Sequence, residues 1–132
     1  MSRQIFVNLP VRNLATSVDF FTALGFRFDP RFTNDKGTCM VVADNISVML
    51  LADSFFQTFT DRRIADPRAE TEVLLCLSCQ SGQEVDDLVA RAVAAGGRAH
   101  RDPQDQGFMY GHGFEDPDGH IWELVHMRAV PA

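Results

Sequence analysis

The chain has 132 residues, of which 45% are apolar and 23% charged; this excludes a disordered chain and suits one domain that buries roughly two-thirds of its unfolded surface. Twelve basic residues against eighteen acidic ones give a net charge of -6 with no basic cluster, which excludes the electrostatic footprint of a nucleic-acid binder. No window approaches the ~18 apolar residues that span a bilayer, and MSRQIFVNLPV lacks the apolar region of a secretion signal, so a cytoplasmic protein with no membrane partner is expected.

In chain order, QIFVNLPV reads as a strand. NLATSVDFFTALGF follows as an amphipathic helix, with Asn13 as N-cap, Leu14, Val18 and Phe21 on one stripe and Gly25 as its stop. FRFDPRF, TCMVVAD and ISVMLLA read as three strands, the last two joined at the turn-like pair Asp44-Asn45. The order is β-α-β-β-β. The segment DSFFQTFTDRRIADPRAE then reads as a short helix and a loop punctuated at Asp66-Pro67. Its Phe55, Phe56 and Phe59 fit either a mobile lid closing on a ligand or a fixed helix anchored to a core.

The second half repeats the pattern. TEVLLCLSC is a strand, and SGQEVDDLVARAVAAGG opens with Ser81 and Glu84 at capping-box spacing. That segment keeps Val85, Leu88, Val89, Ala92 and Val93 on one face and ends at Gly96-Gly97. GRAHRD, GFMYGHGFE and HIWELVHM read as three more strands, the last two joined through DPDG. Cys39, Cys76 and Cys79 are odd in number, which favours a reducing compartment. Cys76 and Cys79 lie three apart on a strand, hence on opposite faces, and read as small buried residues rather than a metal or redox pair.

These features carry a resemblance. Val11, Asn13, Leu14, Ser17, Phe20, Phe21, Leu24, Gly25 and Phe26 are similar to the V-x-D-L-x-x-S-x-x-F-Y-x-x-L-G-F signature of the vicinal oxygen chelate superfamily. Asp116-Pro117-Asp118-Gly119 with Glu123-Leu124 resembles its D-P-D-G-x-x-x-E-L ending. Asn13 stands where Asp is usual, and Phe21 where Tyr is usual. The superfamily includes glyoxalase I, extradiol dioxygenases and the fosfomycin- and bleomycin-resistance proteins. The resemblance implies an α+β fold of two βαβββ modules forming an open cup-shaped mixed sheet with helices packed outside. Module one then spans 1–52, a linker helix 53–69 and module two 70–128, within a single domain 1–132. It also implies a homodimer.

In metal-dependent members, two ligands come from each module. The resemblance places these positions at Phe6, Met49, Leu74 and Glu123, or at Asn8, Leu51 and Cys76 with a two-residue slip. Only Glu123 is a hard donor, so no metal or other cofactor is expected, a divalent metal remaining the alternative. With DPDG as a four-residue loop, Glu115 pairs with His120, and His112 stands opposite Glu123 with Cβ atoms roughly 5 Å apart. His112 and Glu123 are then candidate catalytic residues, a polar pair among ligand-binding Phe6, Asn8, Met49, Leu74, Tyr110, Phe114 and Phe56; equally, a part-buried Glu keeps a cross-strand partner for structural reasons. His120 and His126 read as structural, and Trp122 and Leu124 as packing on the helices. Two functions stay open: a metal-independent small-molecule binder similar to the bleomycin-resistance branch, or a lyase or dioxygenase of the glyoxalase type with a rearranged ligand set.

Overall fold

The computed structural model describes residues 3–128, so the outermost residues of the expected 1–132 domain, including the first two of the N-terminal segment, lie outside the described residues. The chain forms two compact units that divide between Ala65 and Asp66, inside the expected linker. In the first, β1 (Ile5–Val11), α1 (Leu14–Ala23), β2 (Arg27–Asp29), β3 (Gly37–Ala43) and β4 (Ile46–Ala52) reproduce the β-α-β-β-β order. They build an open mixed sheet, β1-β4-β3-β2, with β1 and β4 parallel. Asn13 caps α1 by accepting the Thr16 N–H at 3.0 Å, and Gly25 ends it with a φ of 98°, which a Cβ would oppose. Phe20, Phe21, Leu9, Val11, Met40, Val48 and Leu50 are buried together as the core of this unit, as the period-two and helical stripes require.

FRFDPRF is not one strand. Pairing stops at Asp29, whose carboxylate accepts the Arg31 N–H and caps a 3-10 turn over Pro30–Phe32; Pro30 sits at the start of that turn, where its missing N–H costs nothing. A short helix, α2 (Asp53–Phe56), packs on β1 and β4 and runs into a second 3-10 turn, Gln57–Phe59. The segment ties itself together: the Gln57 side-chain amide donates to the carbonyls of Thr60 and Arg62, and Phe55 meets Phe59 edge to face.

The second unit contains β5 (Leu74–Ser78), α3 (Gly82–Ala94), β6 (Arg98–Ala99), β7 (Gln104–Asp105), β8 (Met109–Glu115) and β9 (Ile121–Met127). Its sheet runs β5-β9-β8-β6 with β7 also on β8, and β5 and β9 are parallel. Ser81 caps α3 by accepting the Glu84 N–H at 3.0 Å. Val85, Val89 and Ala92 of α3 are buried with Phe114, Trp122 and Leu124, and the Phe114 and Trp122 rings lie parallel with centroids 6.3 Å apart. Val93 is half exposed and falls off this stripe. No helix among the described residues is long and apolar enough to cross a membrane.

Candidate binding site

The turn between β8 and β9 sets the geometry around Glu123. Asp116 is buried, and its Oδ1 accepts the N–H groups of Asp118, Gly119 and His120 while Oδ2 accepts the Trp122 indole N–H. The carboxylate thereby organises a loop of five residues, Asp116 to His120, closed by the Asp116 N–H donating to the His120 carbonyl. Gly119 turns through a φ of 99°, and a Cβ there would also meet Arg68 at 2.8 Å. Arg68 adds its own donation to the Pro117 carbonyl. Pairing consequently begins one residue later than a four-residue loop requires: Glu115 pairs with Ile121, Gly113 with Glu123 and His112 with Leu124.

That shift corrects the expected pair. Residues directly opposite each other share a face, so His112 joins Phe114, Trp122 and Leu124 on the side packed against α3, and Glu123 leaves from the other side with Ile121 and Val125. Phe114 is 1% exposed and closed to any ligand. Tyr110 is in register with His126 on the α3 side, and its hydroxyl donates to Asp86 of α3 at 2.6 Å; that bond raises the Tyr110 pKa, with burial adding to it. His126 Nδ1 lies 3.1 Å from the Cys79 carbonyl, a structural contact. On the Glu123 side the neighbours are Cys76, in register with Glu123, and Leu74, in register with Ile121 and about half exposed.

The polar partners of Glu123 come from GRAHRD, a segment whose residues predict a continuous strand. Ala99 pairs with Phe114 and Gln104 with Gly111, so four residues, His100–Pro103, stand against two, His112 and Gly113. GRAHRD is thus strand only over Arg98–Ala99, and its remaining residues belong to a bulge. Pro103 contributes by removing a ladder donor. The bulge is held at two points, by the His100 N–H on the Gly113 carbonyl at 3.2 Å and by His112 Nε2, 2.7 Å from the Arg101 carbonyl. His112 Nε2 therefore carries a proton in this contact, since a carbonyl can only accept.

The bulge puts His100 Nε2 at 4.0 Å and Arg101 Nη2 at 3.9 Å from the same oxygen, Glu123 Oε1. Opposite, Gly113 makes room: a Cβ there would lie 2.8 Å from Glu123 Oε2 and 2.8 Å from the Trp122 carbonyl. The Glu123 side chain is 16% exposed, that of His100 27% and that of Arg101 60%. At these separations the contacts are electrostatic rather than direct hydrogen bonds. Given Arg101's exposure, its contact is worth no more than about 1 kcal/mol. Glu123 can accept a hydrogen bond or a proton from a ligand, beside two basic groups and apolar Leu74, Ile121 and Val125.

The first unit places Phe6, Asn8 and Met49 on one sheet face, with Asn8 and Cys39 both in register with Met49. Phe6 is about half exposed, Asn8 exposed and Met49 intermediate. Phe56 is part-buried on α2. This unit offers a phenyl ring, a thioether and an amide, the second unit one carboxylate with Cys76 beside it. Among the described residues no group of three or more His, Cys, Asp or Glu side chains could hold a metal ion. The donors do not fit the four-ligand site of metal-dependent relatives. Cys76 is exposed, contrary to the burial expected for it, whereas Cys79 is buried. Burial and then Glu123 raise the Cys76 thiol, and burial chiefly pushes Cys79 up to about 12, so both keep their protons at neutral pH.

The model of the Glyoxalase/Bleomycin resistance protein/Dioxygenase superfamily matches residues 3–124. Among solved structures, a hypothetical protein from S. aureus is 28% identical with a TM-score of 0.81, over 96% of this chain and 94% of that one. A glyoxalase-related enzyme from Fulvimarina pelagi is 23% identical with a TM-score of 0.79, over 96% and 88%. A glyoxalase/bleomycin resistance protein/dioxygenase family enzyme from Burkholderia phytofirmans PsJN is 17% identical with a TM-score of 0.79, over 96% and 99%. The last two likenesses speak for the fold alone. No curated protein matches the chain.

Proposed function

The chain belongs to the glyoxalase/bleomycin resistance protein/dioxygenase superfamily, and from that premise we propose that it binds a small organic molecule without the divalent metal of its metal-dependent relatives. The donor set carries this reading: of the positions that resemble metal ligands, Phe6, Met49 and Leu74 offer a ring, a thioether and an alkyl chain, and Glu123 alone a carboxylate. The ligand contacts the sheet face of Leu74, Cys76 and Glu123, with Glu123 as its polar anchor. Phe6, Asn8 and Met49 present a comparable mixed face in the first unit. The alternative of a rearranged metal site built on Glu123 and His112 is disfavoured because the two side chains leave opposite faces of the sheet. The protein acts in the cytoplasm as a homodimer in this reading, which the three free cysteines and the pairing habit of such modules support.

Titrating chelator-treated protein with the neutral aromatic salicylamide tests the binding face. Saturable shifts of the backbone amides of Cys76, Gly113 and Glu123 in a nitrogen-proton correlation spectrum are expected. No saturable change on these strands would refute the proposal.

A further inference from the structure

The bulge His100–Pro103 carries two basic side chains beside Glu123. We infer that Arg101, with His100 beside it, receives an oxyanion, so that the site takes a small organic acid carrying a hydroxyl or amine next to its carboxylate; this rests on the binding face proposed above. Among the described residues neither side chain makes a hydrogen bond; Arg101 only approaches Glu123 Oε1 at 3.9 Å and His100 at 4.0 Å. The Arg101 side chain is 60% exposed and keeps its fork of donors available, and such a fork matches a carboxylate bidentately. Its position is built, not incidental. His112 holds the Arg101 carbonyl at 2.7 Å, the His100 N–H holds the Gly113 carbonyl, and Gly113 leaves space for the Glu123 carboxylate to lie across β8.

Charge placement supports the same conclusion. In a chain of net charge -6, two basic groups converge on one carboxylate oxygen beside exposed Leu74. An anion alone would be repelled by Glu123, whereas a ligand with a donor beside its carboxylate satisfies both partners: the carboxylate on Arg101, the hydroxyl or amine on Glu123. His112 is a positioning residue here, acting through the Arg101 backbone.

The test compares salicylate with salicylamide, which differ in the charged group, on wild-type protein and on Arg101→Ala and Arg101→Lys, by the same amide shifts and at two salt concentrations. Salicylate should bind about tenfold more tightly than salicylamide to the wild type, as one charge-assisted contact provides. That preference should disappear in Arg101→Ala, persist in part in Arg101→Lys and weaken with salt. The unchanged spectrum of the remaining strands would show both variants folded. Equal binding of the two probes to the wild type, or an undiminished preference in Arg101→Ala, would overturn the inference and leave the binding face standing. Failure of both probes to bind would overturn the binding face as well.

Discussion

Replacing Asp116 should cost more than replacing any other surface-loop residue, because one carboxylate accepts four hydrogen bonds in a buried site. In Asp116→Ala, the N–H groups of Asp118, Gly119 and His120 lose the acceptor they share at 3.0 to 3.1 Å, and the Trp122 indole, in a ring with no exposure, loses its bond at 3.0 Å. Three of the bonds share one oxygen, so they do not add fully. Counting about 2 kcal/mol for that group together and about 1–3 kcal/mol for the buried indole N–H left without this acceptor gives a loss of about 3–5 kcal/mol. That is a large part of the ~5–15 kcal/mol that holds a domain folded. Asp116→Asn keeps an oxygen for the backbone donors but turns an amide N–H₂ toward the indole, and should cost only about 1–2 kcal/mol. Urea unfolding followed by the fluorescence of the single tryptophan measures both; at an m-value of about 1–3 kcal/mol/M the alanine midpoint falls by 1 M or more. A loss below 1 kcal/mol in Asp116→Ala, or equal losses in the two variants, would show that this carboxylate does not build the loop, and the Gly113 to Glu123 register would lose its cause.

Three further outcomes follow from the same geometry. With Cys39 and Cys79 buried and Cys79 pushed up to about 12, Cys76 should be the one thiol that alkylates at pH 8, more slowly than a free cysteine; Glu123→Gln should speed it by lowering its pKa, and mass spectrometry at several pH values would reveal an absent effect. His112→Leu removes the hold on the Arg101 carbonyl at a cost of about 1 kcal/mol and should raise hydrogen exchange at the His100 amide, while an unchanged exchange rate would mean the bulge is held elsewhere. Gly113→Ala places a methyl group 2.8 Å from the Trp122 carbonyl, a backbone atom that cannot swing away, and should destabilise by about 1–3 kcal/mol in thermal unfolding, whereas a neutral result would contradict the close approach.

Much of the fold was legible because local chemistry and pattern agreed. Asn13 and Ser81 cap their helices as their positions suggested, ISVMLLA forms a strand over its whole length, and Trp122 and Leu124 pack toward α3. The site was less legible, for two physical reasons. The turn DPDG reads as four residues by composition, but the Asp116 side chain reaches the His120 N–H and extends the loop to five, and one residue of shift moves a side chain to the other face. His100 and Arg101 face Glu123 only because a bulge interrupts GRAHRDPQD, and a bulge depends on the partner strand as much as on its own residues. Pro103 was the one available signal, since it cannot donate to a ladder.

The metal content of the protein tests the central claim most directly. Purified without chelator and then offered nickel, zinc, manganese or ferrous iron, the chain should carry well below one metal per molecule by elemental analysis and show no rise in melting temperature. A ligand that binds only the folded state would add about 2.7 kcal/mol at a hundredfold excess over its Kd, a rise of several degrees. One metal per chain, stabilising on addition and lost in Glu123→Ala, would contradict the account.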